Sequence, residues 1–256
     1  MALPKNPLPA KPWLRPGALL YREVRRSIAD AINALEWRPG EVIPSEKKLC
    51  ERFGVSMGTL RKAVDELTAS GVLVRKQGLG TFVARHSLDR YLFSFFHLVG
   101  HDGDKAYPGV RFLRFETVTA DAFAVEALAV PARTRLLHLC NVLSLKGQPV
   151  SIDHIYLPAA RFAGLTERRL REREATLYQL YQDEFDISVV RTSERVRGFA
   201  ATAEQAELLG VAVGAPLLLV IRVAYTLRDR AVELRYSYVD TRRCEYRPDP
   251  FVREQD

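Results

Sequence analysis

The chain has 256 residues, 47% of them hydrophobic, which is enough apolar material for one large core or two ordinary ones and too much for a disordered polymer. The net charge of +7 is unevenly placed: residues 1–86 hold 15 Lys+Arg against 8 Asp+Glu, and the remainder holds 23 of each, so a basic module joins a neutral one. No run of about 18 apolar residues occurs, which excludes a spanning helix, and three distant cysteines (Cys50, Cys140, Cys244) without a CxxC spacing make a disulfide framework or zinc finger unexpected, so a reducing cytoplasm fits best.

Residues 1–17, rich in proline, read as an extended tail without the apolar run and small-residue cleavage site of a secretory signal. In "ALLYREVRRSIADAINALE" the spacing of Leu20, Val24, Ile28, Ile32 and Leu35 predicts a helix with one buried stripe that stops at "WRPG". "PSEKKLCERFG" opens on Pro44 and the N-cap candidate Ser45, and runs about two turns to Gly54. Ser56 can cap a third helix whose Leu60, Ala63, Val64 and Leu67 face inward, leaving Met57, Gly58, Arg61 and Lys62 outside. "VLVRKQGLGTFVAR" alternates about a turn that contains Gln77, Gly78 and Gly80, a β-hairpin pattern. Helix, helix, short turn, helix and hairpin make a winged helix-turn-helix over residues 18–85. Its second helix-turn-helix helix lies in the DNA major groove. There Met57 can meet a thymine methyl, Gly58 lets the backbone approach closely, and Arg61 can fork onto guanine or phosphate.

Pro39 to Arg85 resembles the DNA-binding domain of the GntR family of bacterial transcription regulators, in the PG-x-x-x-PSE start, the VS-x-x-T-x-R-x-A helix and the G-x-GT-x-V wing. The resemblance implies that Ser45, Glu46 and Lys47 stand at the start of the helix before the turn. It implies that Ser56, Thr59 and Arg61 meet the operator and that Gly78 enters the minor groove. Many members carry arginine at Met57 and threonine at Gly58, so the operator is expected to depart from the commonest one.

After a linker at 86–92, residues 93–247 alternate strands, as in "GVRFLRFETV", "RLLHLCNVLSLKGQPVSIDHIYLP", "ISVVRTSERVRGFA" and "PLLLVIRVAYTLRDRAVELRYSYVD", with helices at "EATLYQLYQDEF" and "TAEQAELLG", before a tail at 248–256. The expectation is an α+β effector domain with a largely antiparallel sheet. The marks "GQPVSIDHIYLP", "TLY" and "VELRYSYV" resemble the chorismate-lyase-like ligand-binding (UTRA) domain of the family's HutC branch. This implies ligand contacts at Ser94, Asp153, Thr176, Tyr178, Glu233 and Tyr238. It also puts Asn141 and Leu143 where sugar-phosphate sensors commonly carry an arginine pair, so phosphate recognition is weakly supported. "YLFSFFHLVGH" is read as core or dimer contact more than pocket. His97 and His101 lack a third ligand, so no metal or other cofactor is expected, and "RFAGLTERRLRERE" is read as a solvated connection.

The expected function is a ligand-responsive repressor, released by a small-molecule effector of unknown identity, acting as a cytoplasmic homodimer on a palindromic DNA operator with no membrane partner. The competing reading, an enzyme of chorismate-lyase-like fold fused to a DNA-binding domain, needs anion-binding arginines at the strand position where Asn141 stands. A pyridoxal-phosphate regulator needs more chain than follows the wing.

Overall fold

A computed structural model describes residues 19–87, 94–103 and 106–248. The expected Pro-rich tail, most of the linker, Tyr91 to Phe93 of the aromatic run and nearly all of the C-terminal tail lie outside those residues. The chain divides into two compact units, Met1–Arg85 and His86–Asp256.

In the first unit α1 (Leu20–Asn33) buries Val24, Ile28 and Ile32, four residues apart, as the spacing requires. Leu35 falls beyond the helix in a left-handed conformation and is 37% exposed, so the stripe ends one turn early. The hydroxyl of Ser45 accepts from the Lys48 amide to open α2 (Glu46–Phe53), and Gly54, at φ +59, closes it. The hydroxyl of Ser56 accepts from the Thr59 amide to open α3 (Met57–Ala69), which turns Leu60, Ala63, Val64 and Leu67 into the core. β1 (Leu73–Lys76) and β2 (Gly80–Val83) form the antiparallel wing.

The second unit is built on a six-stranded antiparallel sheet in the order β4-β5-β6-β9-β8-β7. Its strands are β4 (Gly109–Thr119), β5 (Arg135–Leu145), β6 (Gln148–Pro158), β7 (Val189–Ala200), β8 (Pro216–Thr226) and β9 (Ala231–Val239). Short β3 (Leu98–Gly100) and β10 (Cys244–Tyr246) pair separately. Period-two alternation gives the sheet two apolar faces. On one, Leu139, Ile155 and Val220 pack against Phe95, Phe96, Phe162 and the buried Leu177, Tyr178 and Tyr181 of helix α6 (Leu177–Phe185). On the other, α4 (Ala122–Leu128) inserts Ala124 and Leu128, and α7 (Ala203–Leu209) inserts Ala206 and Leu209. The segment read as a solvated connection contains one further helix, α5 (Glu167–Glu172), anchored by the buried Leu170.

Candidate functional sites

The outer face of α3 presents Met57, 38% exposed, beside Gly58, Arg61 and Lys62, and Thr59 is half-buried. A methyl group built on Gly58 would meet nothing within 4 Å, so the fold itself does not require glycine there. Arg61 Nε donates to Glu46 Oε2 at 2.8 Å, which ties α3 to the first turn of α2. Lys62 Nζ sits 4.1 Å from the centre of the Tyr21 ring. At the wing tip Gln77 is exposed, Gly78 has φ +72, and Leu79 is 69% exposed. Ser45 and Ser56 are occupied as helix caps, so each first-turn amide group is presented by a pre-ordered helix end. Lys47 is exposed on α2.

In the second unit a cavity of about 500 Å³ opens between β4, β5, β6 and β9 on one side and α5 and the start of α6 on the other. The sheet register makes Asn141 of β5 and Asp153 of β6 cross-strand neighbours in its wall. Leu143 and Thr176 also line it. Thr176 has a second task, because its hydroxyl accepts from the Gln179 amide and starts α6. Asp153 is fixed on both oxygens: Ser151 Oγ donates to one at 3.0 Å and Arg235 donates to the other at 3.1 Å. Asn141 differs. It is 2% exposed, and its carbonyl oxygen has no hydrogen-bond partner among the described residues. A buried amide left in that state costs free energy until something enters to pair with it.

The other expected ligand residues do not share this cavity. Glu233 is fully buried behind Arg235, and it accepts from Arg235 Nε at 3.0 Å, from the Tyr178 hydroxyl at 3.1 Å and from the Tyr181 hydroxyl at 2.8 Å. Its carboxylate, expected to face the ligand, is instead bonded to Arg235, which lines the cavity. Burial, and next the adjoining Glu233 charge, push the Tyr181 hydroxyl well above its usual range, so it remains a donor. Tyr178 is equally buried under α6 and does not line the cavity. Tyr238 stands opposite Ile152, one residue from Asp153 in register, and so points to the other sheet face. Ser94 is exposed and lies outside the lining.

Sequence reasoning missed the arginines. Arg111, Arg171, Arg173 and Arg235 border the cavity from β4, α5, the following loop and β9. These four stand on elements other than the strand of Asn141 and Leu143; Arg235 is held by Asp153 and Glu233, Arg171 pairs with Glu167, and Asp153 and Glu174 share the lining. No group of three or more His, Cys, Asp or Glu able to hold a metal occurs among the described residues, and none of their helices is long and apolar enough to cross a membrane.

Residues 20–83 match the family described as bacterial regulatory proteins, gntR family, and residues 104–245 match the UTRA domain. The chain belongs to the GntR family. The probable fructoselysine utilization operon transcriptional repressor of Escherichia coli strain K12 is 35% identical over 218 residues, 84% of this chain and 88% of that protein. The histidine utilization repressor of Klebsiella aerogenes is 32% identical over 206 residues, 80% and 84% of the two chains. Among solved structures, the ligand-binding domain of a GntR-family regulator from Bordetella bronchiseptica is 36% identical with a TM-score of 0.58, covering 60% of this chain and 95% of its own. This GntR-family chain is thus a transcriptional repressor of the UTRA type rather than an enzyme, as its named relatives are repressors.

Proposed function

We propose that the repressor works in the cytoplasm as a homodimer on a palindromic operator and that a small polar effector, seated in the cavity beside Asn141, releases it. The observation that carries this reading is the unpartnered, buried Asn141 carbonyl in the wall of a cavity large enough for a small metabolite. An amide both donates and accepts, so it suits a hydroxyl or a second amide, and the bordering arginines suit a carboxylate or phosphate on the same molecule. The relative named for fructoselysine utilization supports a search among glycated amino acids and sugar acids. On the DNA side, Ser45, Glu46 and Lys47 position α2, the first turn of α3 from Ser56 to Thr59 with Arg61 and Lys62 enters the groove, and Gln77 and Gly78 form the wing contact.

The test is a thermal-shift screen of the whole chain against sugar phosphates, glycated amino acids and urocanate-like acids, followed by operator affinity with and without each hit. Asn141→Leu should melt no lower than the natural protein, because it removes an unpaired buried group, while the hit binds about tenfold more weakly or worse and operator release disappears. A variant that responds to the effector as before would place the effector elsewhere.

A further inference from the structure

The opposite face of the sheet holds a second cleft, of about 260 Å³, that the effector reading does not use. Four side chains dominate it: His154 and Tyr156 from β6, and Tyr236 and Tyr238 from β9, with Asp121 at the start of α4 on its rim. A line of polar contacts leads in from the sheet edge. His138 Nδ1 lies 2.9 Å from Glu116 Oε1, and His138 Nε2 lies 3.0 Å from His154 Nδ1. A carboxylate only accepts, so Nδ1 of His138 carries a proton. When the His138 ring accepts through Nε2 from His154 Nδ1–H, His154, which lines the cleft, is left with Nε2 as its acceptor. Burial lowers the tendency of His154 to protonate.

The aromatic rings fix the shape of what would fit. His138 stacks on Tyr156 at 4.6 Å with 6° between planes, which backs that ring from behind. Tyr156 and Tyr236 stand at 89° with centres 5.9 Å apart, and His154 and Tyr238 repeat the arrangement at 89° and 5.9 Å. Perpendicular walls of this kind receive a flat ring that meets one aromatic face-on and the next edge-on. Burial raises the hydroxyls of Tyr156, Tyr236 and Tyr238 above their usual range, so they stay neutral. Among the described residues none of the three hydroxyls has a hydrogen-bond partner. A dry cavity of about 150 Å³ takes benzene, so the cleft has room for two fused rings. Asp121 at the rim disfavours anions, which separates this site from the arginine-bordered cavity on the other face.

We propose that this cleft is a second small-molecule site, for a neutral planar aromatic compound carrying one N–H or O–H donor that bonds to His154. The probe is indole, compared with N-methylindole, which has nearly the same shape and no donor. Calorimetric titration of the natural full chain should show indole binding about tenfold or more tighter than N-methylindole. His154→Phe should remove that preference, Tyr236→Leu should weaken both probes, and Asn141→Leu should leave indole unchanged. Equal binding of the two probes by the natural chain, which needs no variant to fold, overturns the proposal. So does the absence of indole binding, its loss in Asn141→Leu, or indole affinity that falls as protein concentration rises, the last meaning that a second copy covers the face.

Discussion

Replacing Glu233 with alanine should damage stability before it touches ligand chemistry. The carboxylate is 0% exposed and holds three donors, Arg235, Tyr178 and Tyr181, all of them buried. Removing it leaves Arg235 with Asp153 as its remaining carboxylate in the cavity wall, and strands two hydroxyls under α6. Arg235 keeps Asp153 as its counter-ion, so the cost is one lost charge-assisted hydrogen bond and two buried hydroxyls left without an acceptor, together roughly 3–5 kcal/mol. For a unit of this size each kcal/mol lowers the melting temperature by about 2–4 °C, so a fall of roughly 6–20 °C is expected by calorimetry or circular dichroism. Glu233→Gln keeps the volume and an acceptor and should lose less. Combining Glu233→Ala with Tyr178→Phe and Tyr181→Phe removes the two stranded hydroxyls as well and should cost less than the sum of the separate losses, the sign of coupling rather than of independent defects. If Glu233→Ala melts within about 2 °C of the natural protein, the buried network does not carry the energy assigned to it here.

Gly58→Ala should stabilise α3 by about 0.5–1 kcal/mol in the free protein, since helical glycine is entropically costly, and its added methyl meets nothing within 4 Å. The same variant should bind operator more weakly in a mobility-shift titration, and unchanged affinity would mean that DNA does not approach this backbone. Arg61→Ala should weaken operator binding roughly tenfold to a hundredfold and relax preference at one base pair, as loss of a base-reading arginine does; uniform weakening across sequences would make Arg61 a phosphate contact instead. Glu194 supplies a pH dependence. Burial pushes its carboxyl up, but hydrogen bonding to His97, the Arg222 charge and the Tyr246 hydroxyl outweigh that and hold it at about 2 instead of 4.5. A depressed carboxyl stabilises above its unfolded value and loses that contribution on acidification. About 3 kcal/mol should therefore vanish between about pH 4.5 and 2, and Glu194→Gln should flatten melting temperature against pH across that window.

The basic unit was legible because each local rule in it agrees with the fold: serine caps, glycine stops, a four-residue apolar spacing and an alternating hairpin. The strands were legible for a similar reason, since alternation in β4 to β9 matches two buried faces. α5 was not, because Leu170 is its only buried residue and a run of charges around one leucine has no stripe to detect. That loss hid Arg171 and Arg173, and with them half of the cavity's positive border. Tyr238 lies on the face opposite Glu233, Arg235 and Ser237, as the alternation with Leu234 and Tyr236 along β9 requires. Glu233 lies on the right face of the sheet, yet the packing of Tyr178 and Tyr181 over it is a tertiary fact that no spacing within β9 contains.

Helix α6 is the element on which the proposed response converges. Its cap residue Thr176 and first residue Leu177 line the cavity, and Tyr178 and Tyr181 hold Glu233, which in turn steadies Arg235 against Asp153 in the cavity wall. One turn further, Gln182 is buried and its side-chain oxygen accepts from the backbone amide of His86 at 2.8 Å, while its amide nitrogen donates to Ser188 at 2.8 Å. His86 is the residue that directly follows the DNA-binding unit in sequence. An effector that draws Arg235 toward its own anion, or displaces the first turn of α6, therefore acts on the same short helix that fixes the chain where it leaves the winged domain. Coupling between a ligand and a second site typically amounts to about 1–3 kcal/mol. The net contribution of one buried hydrogen bond is about 1 kcal/mol, so gain or loss of the Gln182–His86 bond together with one contact to Glu233 is of sufficient size. No large rearrangement of the six-stranded sheet is required, and its two packed faces oppose one.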